Sequence, residues 1–375
     1  MATQQQNIGE VLQFFNEARR PVKSSDRVPG PFPYLGASGT VDYVEGFTHE
    51  GSYLCVSEDG ANLLTRSHPI AWVQDGKFWA NNHLQVLGGV SREHLTFFRY
   101  AIESTNIAAY VTGSAQPKLS KANLSSVKVP KFSRGEEERI GKLLSAIDDK
   151  IAANNRAKNI ALDLIKTLGG KPTNTVKLSV LCERSTRSIK PETIEAKTVL
   201  HHSLPAFDLG APAQEDPATI KSHKFSLERP CVLLSKLNPH TPRIWSVPVI
   251  NEDVPMIASS EFVVLQPTTC RQAQLFAATV QPELFHHLES LTGGTSKSHQ
   301  RVRPADILTS EVPDTRTLSA EESQMLELLT LRFESFVAEN QALARTRDEL
   351  LPLLMSGRIT VGEAEDVAGT AASES

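Results

Sequence analysis

The sequence predicts an α+β protein: two repeated, strand-rich α/β domains joined by two long helices. The helices are expected to form an antiparallel coiled coil with pseudo-two-fold symmetry. Three observations predict it. Two long amphipathic stretches, PKFSRGEEERIGKLLSAIDDKIAANNRAKNIALDLIKTL (130–168) and PDTRTLSAEESQMLELLTLRFESFVAENQALARTRDELLPLL (313–354), close the two halves of the chain. Each follows the same approach: a Thr-Gly turn, small polar and basic residues, an apolar stretch and a Pro, at 112–130 and again at 292–313. Echoes lie further upstream. FWANNHLQVL (78–87) matches MIASSEFVVLQP (256–267), and IGEVLQFFNEARRPVK (8–23) matches KLSVLCERSTRSIK (177–190). Repetition in one order marks a duplicated unit.

Residues 1–132 read as the first domain. SYLCVSED (52–59), PIAWV (69–73) and HLQVLGG (83–89) are short apolar runs between turn residues, hence strands. Leu95, Phe98, Ala101 and Ile102 have helical spacing, with Ser91 as N-cap. The first long helix, 133–170, carries Glu136, Glu137 and Glu138 at its positive end and stops at Gly169-Gly170 and Pro172. The second domain, 171–315, repeats the plan with strands in PCVLLSKL (230–237), RIWSVPVI (243–250) and SEFVVLQ (260–266). A helical stretch at 270–291 is broken around Pro282. The second long helix spans 316–356, and a tail from 357 to 375 is expected to be disordered.

The long helices carry narrow apolar stripes. Ile140, Leu144, Ile147, Ile151, Lys158, Ala161, Ile165 and Leu168 form one, with Lys158 among its polar interruptions, and Met325, Leu329, Phe336, Leu343, Leu350 and Leu353 the other. Setting Ile140 on Met325 sets Leu143 on Leu328 and Asn155 on Asn340. Both stripes turn polar at their middles, where Asn155 and Asn340 are expected to fix the register. An antiparallel pair would hold the domains at opposite ends of a rod about 50 Å long.

Bulk properties exclude several classes. No apolar run approaches the roughly 20 residues of a membrane span, and the N-terminus lacks the pattern of a secretory signal. Cys55, Cys182, Cys231 and Cys270 have no CxxC spacing, which fits reduced thiols in a cytoplasm and no zinc module. The formal net charge of −4 is an average over uneven segments. Residues 112–134 hold Lys118, Lys121, Lys128, Lys131 and Arg134 without an acid, and 293–303 hold Lys297, Arg301 and Arg303 without one. No catalytic residue, metal site or cofactor site is expected. NPHT (238–241) is an incomplete adenine-methyltransferase motif, and there is no P-loop. Asp148, Asp149 and Lys150 are consecutive on a helix and read as a solvated face. The pairs His201-His202 and His286-His287 lack a metal-binding context.

Several stretches together resemble one family. GPFPYLGASGTVDYV (30–44) is followed by GANLLTR, CVLLSKLNP stands in the second half, two basic approaches lead into the helices, and the chain ends in RDELLPLLMSGRITV (347–361). From about residue 8 to 361 the chain resembles the DNA-specificity subunit of type I restriction-modification systems. The resemblance implies a non-catalytic, cytoplasmic protein with two target recognition domains, each reading half of a split double-stranded DNA site. The helices would set the spacer and bind two methyltransferase (modification) subunits, to which restriction (translocase-nuclease) subunits are added. The rival expectation is a coiled-coil interaction scaffold whose heads bind proteins. DNA contact needs cations for phosphates and donors or acceptors for base edges. The candidates are Ser114, Gln116, Lys118 and Lys121 in the first half; Lys236, Asn238 and Arg243 after the CVLLS strand; and Ser296, Lys297, His299, Gln300, Arg301 and Arg303 before the second helix.

Overall fold

The computed structural model describes residues 4–113, 115–292 and 300–366. The chain folds as two units. One is built on the residues up to Ile151 together with those from Ala342, the other on Ala152–Gln341. The boundary cuts both long helices, so each unit owns half of each.

The first unit runs β1 (Gln5–Asn7), α1 (Ile8–Val11), β2 (Gln13–Phe14), β3 (Pro29–Gly36), β4 (Gly39–Val44), β5 (His49–Glu50), β6 (Tyr53–Ser57), α2 (Asn62–Thr65), β7 (Ala71–Gln74), β8 (Lys77–Ala80), β9 (Leu84–Gly88), α3 (Arg92–Ser104), α4 (Lys121–Ser125) and β10 (Lys128–Pro130). The long helix α5 (Arg134–Gly169) begins there. One sheet has the order β2-β9-β6-β7, a second β4-β3-β8-β5, and β1 pairs with β10. In β6, Leu54 and Val56 pack into the core shared with α3, while Cys55 joins the core between the sheets. Both faces are covered, so the strand reads as a continuous apolar run. Ser91 caps α3 as expected, its Oγ accepting from the backbone N–H of His94 at 3.3 Å.

The second unit repeats this topology. It runs β11 (Thr175–Lys177), α6 (Leu178–Leu181), β12 (Cys182–Ser185), β13 (Ser188–Ile189), β14 (Val199–His202), α7 (Leu204–Leu209), β15 (Ala213–Glu215), β16 (Lys224–Leu227), β17 (Cys231–Ser235), β18 (Ile244–Val247), β19 (Met256–Ser259), β20 (Phe262–Pro267), α8 (Gln272–Thr279), α9 (Pro282–Ser290), α10 (Pro304–Thr309), β21 (Glu311–Pro313) and then α11 (Ala320–Met355). Sheet β12-β20-β17-β18 matches β2-β9-β6-β7, and β11·β21 matches β1·β10. The other sheet, β13-β16-β19-β14-β15, keeps the parallel pair, β14·β19 for β3·β8, and adds β13 at its edge. The expected break at Pro282 separates α8 from α9.

Within the second unit, Asn154 Nδ2 donates to Glu339 Oε2 at 2.9 Å and to Asn340 Oδ1 at 3.1 Å, and Asn340 Nδ2 donates to Asn155 Oδ1 at 3.1 Å. Lys171 Nζ meets Glu322 Oε1 at 2.8 Å. Rising numbers on one strand of contacts meet falling numbers on the other, so the two helix halves run antiparallel. In the first unit Ile140 and Leu144 share a core with Leu350 and Leu354, and Asp148 meets Arg347 at 3.1 Å.

Three expectations are corrected. The helix alignment is one residue out. Met325 is 49% and Leu328 54% exposed, whereas Leu326 is fully buried like Ile140. Setting Ile140 on Leu326 also sets buried Leu144 on buried Thr330 and Asn154 on Asn340. A slip of one residue turns a helix by about 100°, and in stripes rich at 3–4 spacing it preserves most letter matches. Asp148 is no solvated residue: it accepts from Arg99, from Tyr100 Oη at 2.7 Å and from Arg347. The tail is ordered to 366, because residues 361–366 are helical and Val361 and Ala364 are buried in the first unit's core. Residues 367–375 lie outside the described residues.

Glycine fixes α5 to each unit. A Cβ on Gly141 would stand 1.8 Å from the carbonyl oxygen of Glu93, and one on Gly169 would stand 2.6 Å from that of Ala277. In a free helix Gly→Ala gains about 1 kcal/mol. At Gly141 the clash with backbone should reverse the sign, costing roughly 1–3 kcal/mol. Denaturant unfolding of Gly141→Ala checks this, and an unchanged or raised midpoint would mean that α5 does not need its close seat on α3.

Candidate nucleic-acid interface

The two basic approaches are held by equivalent backbone pairing. In the first unit the Leu119 N–H donates to Glu58 O at 2.7 Å, and the Glu58 N–H to His83 O at 2.9 Å. In the second, the Val302 N–H donates to Lys236 O at 2.9 Å, and the Lys236 N–H to Glu261 O at 2.9 Å. Isolated bridges join Asp59 with Lys118 and Leu237 with Arg301. The end of a central strand (β6 or β17), a β-turn and the approach to a short helix therefore meet at one corner in each unit. Lys118 and Arg301 are equivalent there. Arg303 is not equivalent to Lys121, as the letters suggest. It directly precedes α10 as Ser120 precedes α4, so these two correspond.

The side chains on this shared frame differ. In the first unit Glu58 is 9% exposed and accepts from Arg19 Nη1 at 2.6 Å and from Gln85 Nε2 at 2.9 Å. Lys118 Nζ lies 3.2 Å from the other carboxylate oxygen, with its side chain 55% exposed. His83 Nδ1 lies 2.7 Å from Asp59 Oδ2. In the second unit Lys236 stands where Glu58 does. Burial, with Arg301 and Arg184 nearby, lowers its ammonium pKa against the pull of Glu261. Arg301 Nη2 meets Glu261 Oε1 at 3.0 Å. Asn238 takes a left-handed conformation (φ 52°), and its N–H donates to Gln300 O at 2.8 Å.

The structure thus gathers Lys118 at one corner and Lys236, Asn238, Gln300 and Arg301 at the other. The Gln300 side chain accepts from Thr292 Oγ1 at 3.1 Å. Gln116 is exposed beside Lys118, and Lys121 Nζ lies 5.3 Å from the Phe14 ring centre. Arg303 is 82% exposed and pairs with Asp306 through both nitrogens of its fork at 2.9 Å. Arg243 is the weakest candidate. Its fork is bound bidentately to Asp208 at 2.7 and 2.9 Å, and its side chain is only 17% exposed. Ser114, Ser296, Lys297 and His299 lie outside the described residues. Sequence reading missed Arg19, Glu58, Asp59, His83, Arg184 and Glu261. The echo of FWANNHLQVL in MIASSEFVVL held the signal, since it aligns His83 with Glu261.

An exposed ion pair contributes about 0–1 kcal/mol, so the exposed heads of Arg301 and Arg303 can exchange a carboxylate for a phosphate at small cost, whereas Lys118 pairs with a buried carboxylate that Arg19 also holds. Among the described residues no cluster of His, Cys, Asp and Glu could hold a metal ion. His202 is buried, and burial pushes its ring down to about 4; His201 lies 3.0 Å from Glu215. No helix among the described residues is long and apolar enough to cross a membrane.

Comparisons with known proteins place the chain. Residues 3–163 match the model of the type I restriction modification DNA specificity domain. Over 140 residues the chain is 39% identical to a type I restriction enzyme specificity subunit of Haemophilus influenzae, a match covering 37% of this chain and 36% of that protein. The chain therefore aligns with only about a third of that relative's length. The crystal structure of the type I restriction-modification system S subunit from M. genitalium superposes with a TM-score of 0.62 at 13% identity, covering 94% of this chain and 95% of that one. Residues 3–163 thus resemble the type I restriction-modification DNA specificity domain, and the chain as a whole has the fold of a solved S subunit.

Proposed function

We propose that the chain is the non-catalytic DNA sequence-specificity subunit of a type I restriction-modification complex. It reads a bipartite, asymmetric site in double-stranded DNA, one half with each unit. One observation carries this reading. The same backbone corner is built twice and furnished differently, with Glu58, His83 and Lys118 in one copy against Lys236, Glu261 and Arg301 in the other. A repeated frame with changed side chains suits two half-sites of unlike sequence. The protein works in the cytoplasm with two methyltransferase subunits, to which restriction subunits are added. The exposed Met325, Leu328 and Leu331 of α11 offer one apolar face for such a partner. That face equally suits a pure interaction scaffold. Salt-dependent DNA binding by the chain with its methyltransferase separates the two readings.

The long helices act as the ruler between half-sites. Lengthening α5 alone would pull Asn154 and Asn155 off Asn340, so the test uses matched insertions of four residues beside Asn154 and Asn340. Each residue adds about 1.5 Å, roughly 6 Å in all, against about 3.4 Å per base pair. Methylome sequencing of cells carrying the variant should show a spacer longer by one or two base pairs and unchanged half-sites. An active variant with the original spacer would remove the ruler role.

A further inference from the structure

The second unit contains a cavity of about 590 Å³ between its halves of α5 and α11, the α8–α9 helices and the β17–β18 turn. This is the size range of small-molecule sites. Phe207, Trp245, Phe276, Phe285 and Phe333 supply much of its wall, which favours a flat apolar body. Lys158, Lys166, His240 and His286 line it with two acids, Glu289 and Glu334. Trp245 is 6% exposed, and its Nε1–H has no hydrogen-bond acceptor among the described residues. A buried donor left without an acceptor costs about 1–3 kcal/mol. We propose that this cavity is a binding site for a small aromatic anion, a ring system bearing one carboxylate or phosphate. Its rings lie among the phenylalanines, and its acidic head takes Lys158 and the Trp245 N–H.

Glu334 fits this assignment. It is hydrogen-bonded to Ser246, which also accepts from Gln272 Nε2 at 3.2 Å. Burial raises its carboxyl to about 8, against the hydrogen bond from Ser246 and the charge of Lys158. At neutral pH the group is therefore mainly uncharged and does not repel an anion beside it. As pH rises through about 8 it ionises and opposes the head. Lys158, Lys166, His240, His286 and Glu289 face the same space, so a substitution at Glu334 is needed to isolate its part. The site is independent of the DNA corner: it uses none of the candidate DNA-binding side chains.

The test is isothermal titration of the full chain with naphthoate and with its uncharged counterpart, naphthyl methanol. Saturable binding of one naphthoate per chain is expected, about tenfold tighter than the alcohol. Lys158→Gln should erase that preference, and Val337→Trp, which fills the cavity, should abolish binding. Glu334→Gln should remove the weakening above pH 8. Equal affinity for the two probes, or no saturable binding by wild type, overturns the proposal. So does naphthoate binding unchanged in Lys158→Gln, a substitution at a half-exposed position that leaves the core intact.

Discussion

Glu137→Ala is expected to destabilise the first unit by about 3–5 kcal/mol, the cost of removing one partner from a buried charged network. Glu137 sits in the opening turns of α5 and is 3% exposed. One carboxylate oxygen accepts from Gln6 Nε2 at 2.6 Å and from the Phe132 N–H at 3.1 Å. The other lies 2.6 Å from His94 Nε2. A single side chain thus ties β1, the turn into α5, and α3. Alanine removes the shared acceptor of all three segments; the Gln6 amide keeps only a long bond to the Pro130 carbonyl at 3.4 Å. Glu137→Gln keeps an acceptor oxygen and should lose less. Two units do not unfold as one two-state system, so the readout must be specific. Trp72 and Trp79 belong to the first unit and Trp245 to the second, and a Trp245→Phe background makes fluorescence report the first unit alone. Its midpoint should fall sharply in Glu137→Ala. An unchanged midpoint would show that the network is replaceable by water.

The equivalent position in the second unit is Ser323, whose Oγ accepts from Gln274 Nε2 at 3.1 Å. Both units clamp the start of a long helix with a buried polar residue, using different chemistry. Such a substitution hides from sequence comparison, because only the place is shared. The same holds for the candidate DNA-binding corner. The strands β6, β9, β17 and β20 were legible because a layer covered on both faces demands a continuous apolar run. The helices were legible from period and caps. The helix register was not, since a one-residue slip kept the letters and lost the faces. Sequence spacing also could not divide the helices between units. That depends on which core each half meets, as Ile140 and Leu354 meet in the first unit and Ile165 and Leu326 in the second. Candidate site residues were found where cations cluster without acids in the linear sequence. Their carboxylate partners, Glu58 and Glu261, arrive from distant strands and turns, so the sequence window around each cation did not contain them.

Those partners sharpen what substitution should do to DNA binding. Arg301 has its backbone fixed in the bridge to Leu237, with its head 60% exposed and held by Glu261. Arg303 is held by Asp306, three residues along the same helix start. Each can turn to a phosphate by giving up a surface ion pair worth about 0–1 kcal/mol. In the assembled methyltransferase, Arg301→Ala and Arg303→Ala should weaken DNA binding. A lost phosphate contact should lower the affinity for all sequences and reduce the salt slope by about 1. A lost bidentate base contact should instead cost roughly 1–3 kcal/mol and relax one position of the site. Lys118→Ala should act in the same way on the other half-site, because Lys118 holds the equivalent place. Glu261→Gln should move affinity in the opposite direction, since it releases Arg301 and removes a negative charge from the corner. Affinity measured against salt for these four variants separates the outcomes. If Arg301→Ala and Arg303→Ala both keep the wild-type affinity, salt slope and base preference, these arginines serve only their carboxylates, and the DNA surface lies elsewhere on the unit.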